Sequence, residues 1–352
     1  MARTTVAGLN KGGILPAACK RLSTLRRVGE LGAARWIAIP GNEGCLGVFQ
    51  FPRDATPLIV EAISGRSMAI VPEDFFLATP GYRESVRWTV GGVPDGGLVP
   101  GKDYWILAES GVIGALIEAS PETKAYVGKA TYLGAVISAE GEPLNLRDFA
   151  VHAPVGATDI GAPVYLLLGT SVEVGKTTAG LSLLRTLLGK GYENVVVLKA
   201  TGTASVTEAM AYLDFGAAQV FDCLDFGVPT TFPSSRPDAP LIFEQALDLC
   251  LSLRADAVVI ECGGNFLGTS VPEFLQCLTA RRSNLTTILA ASDSFGALGA
   301  KRVLEGMGLK LDLITGPCTD TLPSRKRTEA ICGVPTRNMR TPSIVGSNWT
   351  PQ

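Results

Sequence analysis

The chain has 352 residues, of which 46% are hydrophobic and 18% charged, and its formal net charge is −2 at pH 7. This balance predicts a soluble α/β protein of two domains, and it gives no basic surface of the kind that binds nucleic acid or anionic membranes. Because no apolar run approaches ~20 residues and the N-terminus lacks a secretory signal, no membrane span and a cytoplasmic location are expected.

Residues 1–155 are predicted to form a smaller, strand-rich α/β domain. Short apolar runs separated by turn signals predict strands at 36–39, 46–49, 104–107 and 131–137. Helices are expected around residues 20–31 and 57–64. The segment 153–157 has the composition of a linker to the rest of the chain.

Residues 163–352 alternate regularly between apolar strands and helices. The predicted strands are 164–168, 195–198, 257–260, 286–290 and 311–314, and the predicted helices are 177–188, 206–213, 241–253, 271–278 and 296–307. Continuous apolar strands with crossover helices predict a parallel sheet with helices on both faces, of the P-loop NTPase type. Ligands of such sheets bind beyond the C-terminal ends of the strands, where we look for site residues.

The first of these strands runs directly into a glycine-rich turn and the start of a helix. Such a turn aims backbone N–H groups and the positive helix end at phosphate oxygens, so it predicts a triphosphate site. Lys176 is expected to reach the terminal phosphates, and the Thr177 hydroxyl to bind Mg²⁺. Five residues, rather than the usual four, separate the two glycines of the turn. The predicted nucleotide-binding residues are Gly169, Thr170, Ser171, Val172, Glu173, Val174, Gly175, Lys176, Thr177, Thr178 and, after the fifth strand, Gly316 and Pro317.

Charged residues end the second and third strands. Lys199 is placed to hold a transferring phosphoryl group or an anionic substrate. Glu261 ends an apolar strand, where an acidic residue of a phosphate-loop fold commonly binds Mg²⁺. We therefore predict Lys176, Lys199 and Glu261 as catalytic residues. After the fourth strand, Asp293 is predicted to cap the next helix.

A third metal ligand is expected among the carboxylates between the second and third strands. The four candidates are Glu208, Asp214, Asp222 and Asp225. Glu208 and Asp214 lie nearer the strand end, and Asp214 is taken as the ligand beside Thr177 and Glu261, although the choice among the four stays open. The proline-rich loop 227–237 is interpreted either as a substrate lid or as a crossover.

Two residue types limit the chemistry. His152 is the only histidine, which excludes a site of several histidines, and its place at the predicted domain junction favours a structural or solvated role over a catalytic one. The eight cysteines lack metal-site spacing and are interpreted as free thiols in the cytosol. Acid–base chemistry must therefore rest on carboxylates, lysines or the substrate.

The turn at 169–177 resembles that of the dethiobiotin synthetases, which read Gly-Thr-Asp-Thr-x-Val-Gly-Lys-Thr with the same five-residue gap. The resemblance continues through Lys199, 229–236, 260–264 and 293–299, and it covers about residues 163–340. It implies ATP- and Mg²⁺-dependent phosphorylation of a carboxylate or carbamate, attack by an amine, and a homodimer. The chain departs from the family at Ser171 and Val172, and it has an extra N-terminal domain. Biotin synthesis itself is therefore not predicted.

The leading hypothesis from the sequence is an ATP-dependent ligase acting on a small carboxylate and an amine. One alternative is a small-molecule kinase or an amino-acid acyltransferase on the same scaffold. Another is a nucleotide-switched ATPase that acts through protein interaction. Relatives of that last class usually carry a second lysine in the loop, whereas Ser171 and Glu173 offer none here.

Overall fold

The computed structural model describes residues 12–31, 34–121, 128–153, 161–233, 236–281 and 284–340. The chain divides into two compact units. The first contains residues 1–151 together with 203–207 and 223–233, and the second contains 152–202, 208–222 and 234–352. Of the predicted linker at 153–157, all but Ala153 lies outside the described residues.

The described part of the first unit is built from short strands. They are β1 (Gly13–Ile14), β2 (Lys20–Arg21), β3 (Arg35–Ile37), β4 (Gly47–Gln50), β5 (Leu58–Glu61), β6 (Ser67–Ile70), β7 (Phe75–Pro80), β8 (Arg83–Glu84), β9 (Thr89–Gly92), β10 (Asp103–Ala108), β11 (Val112–Ala119) and β12 (Lys129–Ile137). The pairings β12–β4–β7–β11–β10–β12 close a ring of five strands. Inside this unit, Phe49 stacks on Phe76 with ring centroids 5.7 Å apart and also contacts Tyr132.

The two helices expected in this unit are not formed. Residues 58–61 are strand β5, which pairs antiparallel with β6. Residues 20–31 contain β2 and a short 3₁₀ turn, Ser23–Leu25. The run Leu58-Ile59-Val60 contains two β-branched side chains, which pack better on a pleated strand than against a helical turn. Pairing with a neighbouring strand therefore overrode the weak helical pattern.

The second unit alternates strands and helices. Its elements are β13 (Val164–Gly169), α1 (Lys176–Gly189), β14 (Val195–Thr201), α2 (Val206–Asp214, whose first two residues belong to the first unit), β15 (Gln219–Phe221), α3 (Ala239–Ser252), β16 (Ala257–Cys262), α4 (Val271–Ala280), β17 (Leu285–Ala290), α5 (Ser294–Gly306), β18 (Leu313–Thr315) and α6 (Leu322–Cys332). The predicted strands and helices of this region are all present, with bounds shifted by a few residues. β15 and α6 were not predicted.

The six strands form one parallel sheet in the order β15–β14–β16–β13–β17–β18. On one face α1 packs its leucines against Tyr165 and Leu167 of β13, in a core shared with Val195 and Val197 of β14. The alternate residues of these strands are also buried, so both faces are covered, as expected for a parallel sheet. Because β13 lies between β16 and β17, the glycine-rich turn that follows it lies between the ends of these two strands.

Among the described residues, no helix combines the length and the apolar character that crossing a lipid bilayer requires.

Candidate functional site

The turn between β13 and α1 has the backbone geometry of an anion-binding loop. Gly175 precedes α1 with φ +85°, a left-handed conformation that glycine adopts without strain. Glu173 also has a positive φ, of 59°, which is unusual for a residue with a side chain and marks a constrained loop. The loop is tied to the neighbouring strand by a hydrogen bond from the Thr170 N–H to the Ala290 carbonyl. Its open side faces the N-terminus of α1, where backbone N–H groups have no helical partner.

Lys176 lies across this loop. Its ammonium donates hydrogen bonds to the carbonyls of Ser171, at 2.7 Å, and of Gly264, at 2.8 Å. A Cβ on Gly169 would lie 2.7 Å from the Lys176 Cδ, so the first glycine of the motif is needed for the lysine to fold back. Burial lowers the pKa of Lys176 to about 8, although the nearby Glu261 carboxylate partly offsets the effect. Lys176 is thus a desolvated cation held where terminal phosphates are expected.

Glu261 ends β16 beside the lysine and is 2% exposed. The Thr177 hydroxyl donates to its Oε1 at 2.8 Å, and the Tyr212 hydroxyl donates to its Oε2 at 2.6 Å. The Lys199 ammonium lies 3.6 Å from Oε1. Burial alone would raise the pKa of Glu261, but Lys199, the two hydroxyl donors and Lys176 together hold its pKa below the ordinary value. The buried side chain is therefore a carboxylate.

Lys199 and α2 form the second half of this network. The ammonium of Lys199 is paired with Glu208, in the first turn of α2, as well as with Glu261. Glu208 and Tyr212 are four residues apart, so they share one face of the helix. That face is the one that meets the ends of β14 and β16.

Asp214 is not brought to the site. It is the last residue of α2, is exposed, and follows Tyr212 by two residues, or about 200° around the helix. Its side chain therefore leaves α2 on the side opposite to Glu261. The prediction of Asp214 as the third metal ligand is corrected for this reason. Of the two favoured carboxylates, it is Glu208 that lies in the network.

The remaining two carboxylate candidates are buried. Asp222 follows β15 and is 2% exposed. Asp225 belongs to the first unit, where it pairs with Arg26 and Arg27. In the proline-rich loop predicted at 227–237, residues 227–232 are buried, and the Thr230 hydroxyl donates to the Tyr82 carbonyl. This part of the predicted loop is packed core and not an exposed lid.

The residues that follow β17 and β18 lie at the same edge of the sheet as the glycine-rich turn. Asp293 accepts hydrogen bonds from the N–H groups of Phe295 and Gly296, which confirms it as the cap of α5. Gly316, with φ +92°, lies against the loop: a Cβ on it would be 3.0 Å from the Val174 carbonyl oxygen. Pro317 begins a short 3₁₀ turn directly after it. The structure thus places this predicted pair beside the glycine-rich turn.

The donors at this site suit Mg²⁺. The Thr177 hydroxyl and the Glu261 carboxylate are hard oxygen ligands lying side by side, beside the expected phosphate position. Over the described residues, no group of three or more His, Cys, Asp or Glu side chains is arranged to hold a metal. Mg²⁺ commonly takes one or two protein ligands and completes its shell with phosphate and water. The residues present therefore fit a magnesium ion that arrives with a nucleotide.

Two residues of the network were missed from the sequence. Tyr212 is fully buried with its hydroxyl on Glu261, and Gly180 of α1 makes room for it: a Cβ there would lie 1.9 Å from the Tyr212 oxygen. The available signals were a glycine inside a helical pattern and a tyrosine four residues after Glu208. Neither points to Glu261 until the tertiary packing is known.

Comparison with known proteins gives structural likeness only. No family model matches the chain, and no curated protein matches it. The signal recognition particle receptor FtsY from Elizabethkingia anophelis, solved in complex with GDP, is 14% identical with a TM-score of 0.37, over 55% of this chain and 64% of that one. The 54 kDa signal recognition particle protein from Aeropyrum pernix K1, also with GDP, is 17% identical with a TM-score of 0.35, over 55% and 47%. FtsY from Thermotoga maritima is 18% identical with a TM-score of 0.36, over 53% and 62%.

The matched region thus spans about half to two thirds of these relatives. At such identities and TM-scores the likeness concerns part of the fold, and not the base or the partner.

The comparison corrects the predicted activity. The structures named above are signal recognition particle proteins and receptors, and none is a ligase. These comparisons point away from an ATP-dependent, dethiobiotin synthetase-like ligase, so that prediction is withdrawn, and they give no support to ATP in particular as the cofactor. What the structure itself shows is a parallel sheet covered by helices, with a glycine-rich turn between β13 and α1.

Proposed function

We propose that this protein is a magnesium-dependent nucleoside triphosphatase that works as a nucleotide-controlled switch and acts through protein interaction. One observation carries the proposal: the Thr177 hydroxyl and the buried Glu261 carboxylate are 2.8 Å apart, beside the loop that Lys176 crosses. A neutral hydroxyl and a carboxylate at the mouth of such a loop are the pair that a magnesium–triphosphate complex requires.

Each residue of the site has a separate task in this proposal. The N–H groups of the turn and the Lys176 ammonium bind the phosphate oxygens, replacing the two carbonyls that Lys176 now contacts. Thr177 and Glu261 hold Mg²⁺, which when bound neutralises charge on the β and γ phosphates. Lys199 holds the Glu261 carboxylate from the β14 side.

The pairing of Lys199 favours hydrolysis over transfer to a second small substrate. Its ammonium is already engaged by Glu208 and Glu261, so it offers little charge to a further anionic acceptor. The same pairing supports a switch. Because Glu208 and Tyr212 of α2 contact Lys199 and Glu261, a change in metal or phosphate at Glu261 alters the contacts that hold α2. We propose α2 as the element that responds to the nucleotide.

Nucleotide binding and turnover without any second substrate test the proposal. The full chain is titrated with GTP and ATP in the presence and absence of Mg²⁺, and phosphate release is then followed. We expect Lys176→Ala to lose most of the triphosphate affinity, and Glu261→Gln to keep binding while losing turnover and its Mg²⁺ dependence. Glu305→Gln, on the exposed face of α5, serves as the matched carboxylate control. Unchanged Mg²⁺ dependence in Glu261→Gln would refute the metal role.

The output of the switch is tested by association. Light scattering of the full chain with a diphosphate and with a nonhydrolysable triphosphate analogue measures whether the predicted homodimer depends on the nucleotide. A mass that changes between the two states supports a switch acting through a second copy. A mass that stays constant in both states removes nucleotide-dependent dimerisation from the proposal and leaves another protein as the partner.

A further inference from the structure

A polar cluster borders the glycine-rich turn on the side of β17 and β18. A Cβ on Gly175 would lie 3.4 Å from the Cγ of Arg340, so this arginine packs on the turn itself. The Arg340 guanidinium is paired with the Asp320 carboxylate, and the Asn338 side-chain amide donates to the other carboxylate oxygen at 3.3 Å. Arg340 and Asp320 are 42% and 41% exposed, so both side chains are open to a ligand.

This cluster is presented by two neighbouring strand ends. Asp320 follows β18 and its 3₁₀ turn, while Asn338 and Arg340 follow Thr336, which bridges in parallel to Ile314 of β18. A hydrogen bond from the Thr319 hydroxyl to the Arg337 carbonyl ties the two segments together. Both therefore lie at the C-terminal edge of the sheet, the edge at which ligands of such sheets bind.

The direction of a bound nucleotide follows from the charges. Lys199 and Glu261, which would meet the terminal phosphate and its metal, come from β14 and β16, on one side of the turn. The cluster comes from the other side, beyond β17. A nucleotide whose terminal phosphate lies towards β16 must direct its sugar and base away from it. Gly316, pressed against Val174, lets the β18 loop approach the turn closely there.

We propose that Asp320 and Arg340 form the base-binding subsite and select guanine. This proposal rests on the nucleotide function proposed above and names the substrate class of that site. The ring N–H and the 2-amino group of guanine are two adjacent donors, which a carboxylate accepts together. Next to them, O6 and N7 of guanine are two acceptors, which a guanidinium binds in bidentate fashion. Asp320 and Arg340 are side by side, so a carboxylate and a guanidinium are available to neighbouring groups of one base.

Adenine has the opposite pattern at the decisive positions. Its ring N1 is an acceptor and would face the carboxylate, and its 6-amino group is a donor and would face the guanidinium. A site built to hydrogen-bond particular groups rejects a ligand that leaves its charged partners unmatched. The pair Asp320 and Arg340 therefore discriminates against ATP as well as binding GTP.

The test compares the affinity of the full chain for four nucleoside triphosphates that differ in their base, in the presence of Mg²⁺. Calorimetric titration with GTP, ATP, ITP and XTP is repeated on Asp320→Asn, Arg340→Ala and the control Glu305→Gln. We expect the unaltered protein to bind GTP about tenfold or more tightly than ATP, and more tightly than ITP, which lacks the 2-amino donor. Asp320→Asn should weaken GTP and strengthen XTP, because the amide can donate to the 2-oxo group of xanthine. Arg340→Ala should weaken GTP, while Glu305→Gln should match the unaltered protein.

The outcomes separate this proposal from the function on which it rests. Equal affinity for GTP, ATP and ITP, together with loss of all three in Lys176→Ala, would overturn the guanine subsite and leave the triphosphate site standing. No binding of any triphosphate by the unaltered chain would overturn both. The comparison of GTP with ITP needs no variant, so it decides the matter even if a substitution at Asp320 fails to fold.

Discussion

At the scale of single residues, the site is organised by the groups around the Glu261 carboxylate. Two hydroxyl donors and one ammonium surround a side chain with almost no contact with solvent. An ionised carboxylate withdrawn from water is stable only where such partners are present. Burial and Glu261 raise the pKa of Tyr212 well above its ordinary value, so its phenol remains a hydrogen-bond donor. Tyr212 is thus a positioning residue for Glu261.

Replacing Tyr212 with phenylalanine removes one hydroxyl and leaves the ring in place. We expect Tyr212→Phe to lower the free energy of unfolding by about 1.5–3 kcal/mol, because a buried carboxylate loses a donor. The Mg²⁺ concentration needed for half-maximal turnover should rise, since Glu261 is no longer held in one orientation. Urea unfolding and a Mg²⁺ titration measure the two effects. Tyr192→Phe, which removes a hydroxyl paired with Tyr165, is the control. An unaltered Mg²⁺ requirement in Tyr212→Phe would argue against a positioning role.

The buried ammonium of Lys176 makes nucleotide binding depend on pH. Its pKa in the free protein is about 8, because burial disfavours the charge, and the negative phosphates of a bound nucleotide raise it. Affinity should therefore be complete below this pKa and fall as the pH rises above it, by up to about tenfold per pH unit. Calorimetry in two buffers of different ionisation heat should detect proton uptake on binding at about pH 9 and none at about pH 7. Binding without proton uptake at the higher pH would contradict this assignment.

At the scale of elements, the packing of α1 against α2 depends on a glycine. Alanine usually stabilises a helix interior by up to about 1 kcal/mol relative to glycine. At Gly180 we expect the reverse, because the added methyl would lie 1.9 Å from the Tyr212 hydroxyl. Gly180→Ala should lower the free energy of unfolding by about 1–3 kcal/mol and displace Tyr212 from Glu261. Gly189→Ala in the same helix meets no atom within 4 Å and should be neutral or stabilising. Equal effects of the two substitutions, measured by urea unfolding, would show that the space at Gly180 is not needed.

Elements with a strong apolar sequence pattern could be predicted from the sequence, and elements with a weak pattern could not. Three of the five predicted strands of the second unit, at 164–168, 195–198 and 257–260, are continuous apolar runs. Such runs are typical of buried parallel strands, so the positions of these strands follow from composition. The short strands β5 and β2 of the first unit carry no such signal, and two helices were wrongly expected there. Their conformation is set by pairing with β6 and β7, residues that the local pattern does not identify.

At the scale of the whole molecule, the first unit is assembled from three stretches of the chain. Residues 203–207 and 223–233 fold with residues 1–151. The Glu61 carboxylate accepts hydrogen bonds from the N–H groups of Val206, at 3.0 Å, and Thr207, at 2.7 Å. The Asp225 carbonyl accepts from the Val151 N–H at 2.7 Å. These segments are therefore part of the first unit although they lie within the sequence of the second.

This organisation predicts that residues 152–352 do not fold as an independent domain. Without residues 1–151, the buried side chains of Leu224, Phe226 and Val228 lose part of their surroundings, and Asp225 loses both arginines. We expect the fragment to aggregate or to unfold without a single cooperative transition, whereas the full chain unfolds cooperatively. Calorimetry of both proteins, with and without nucleotide, measures this. A fragment that unfolds cooperatively and binds nucleotide with full affinity would contradict the prediction.

The sequence by itself determined the parallel sheet, the glycine-rich turn, and the placing of Lys176, Thr177 and Glu261 at strand and helix ends. These features depend on local order along the chain, in which an apolar strand, a flexible turn and a helix start follow one another. Only the tertiary structure decided which side chains meet. It turned Tyr212 towards Glu261, Glu208 towards Lys199 and Asp214 away, and it brought Arg340 against Gly175. The rotation of a helix about its axis and the meeting of distant strand ends are set by packing across the sheet, which a pattern along one segment does not contain.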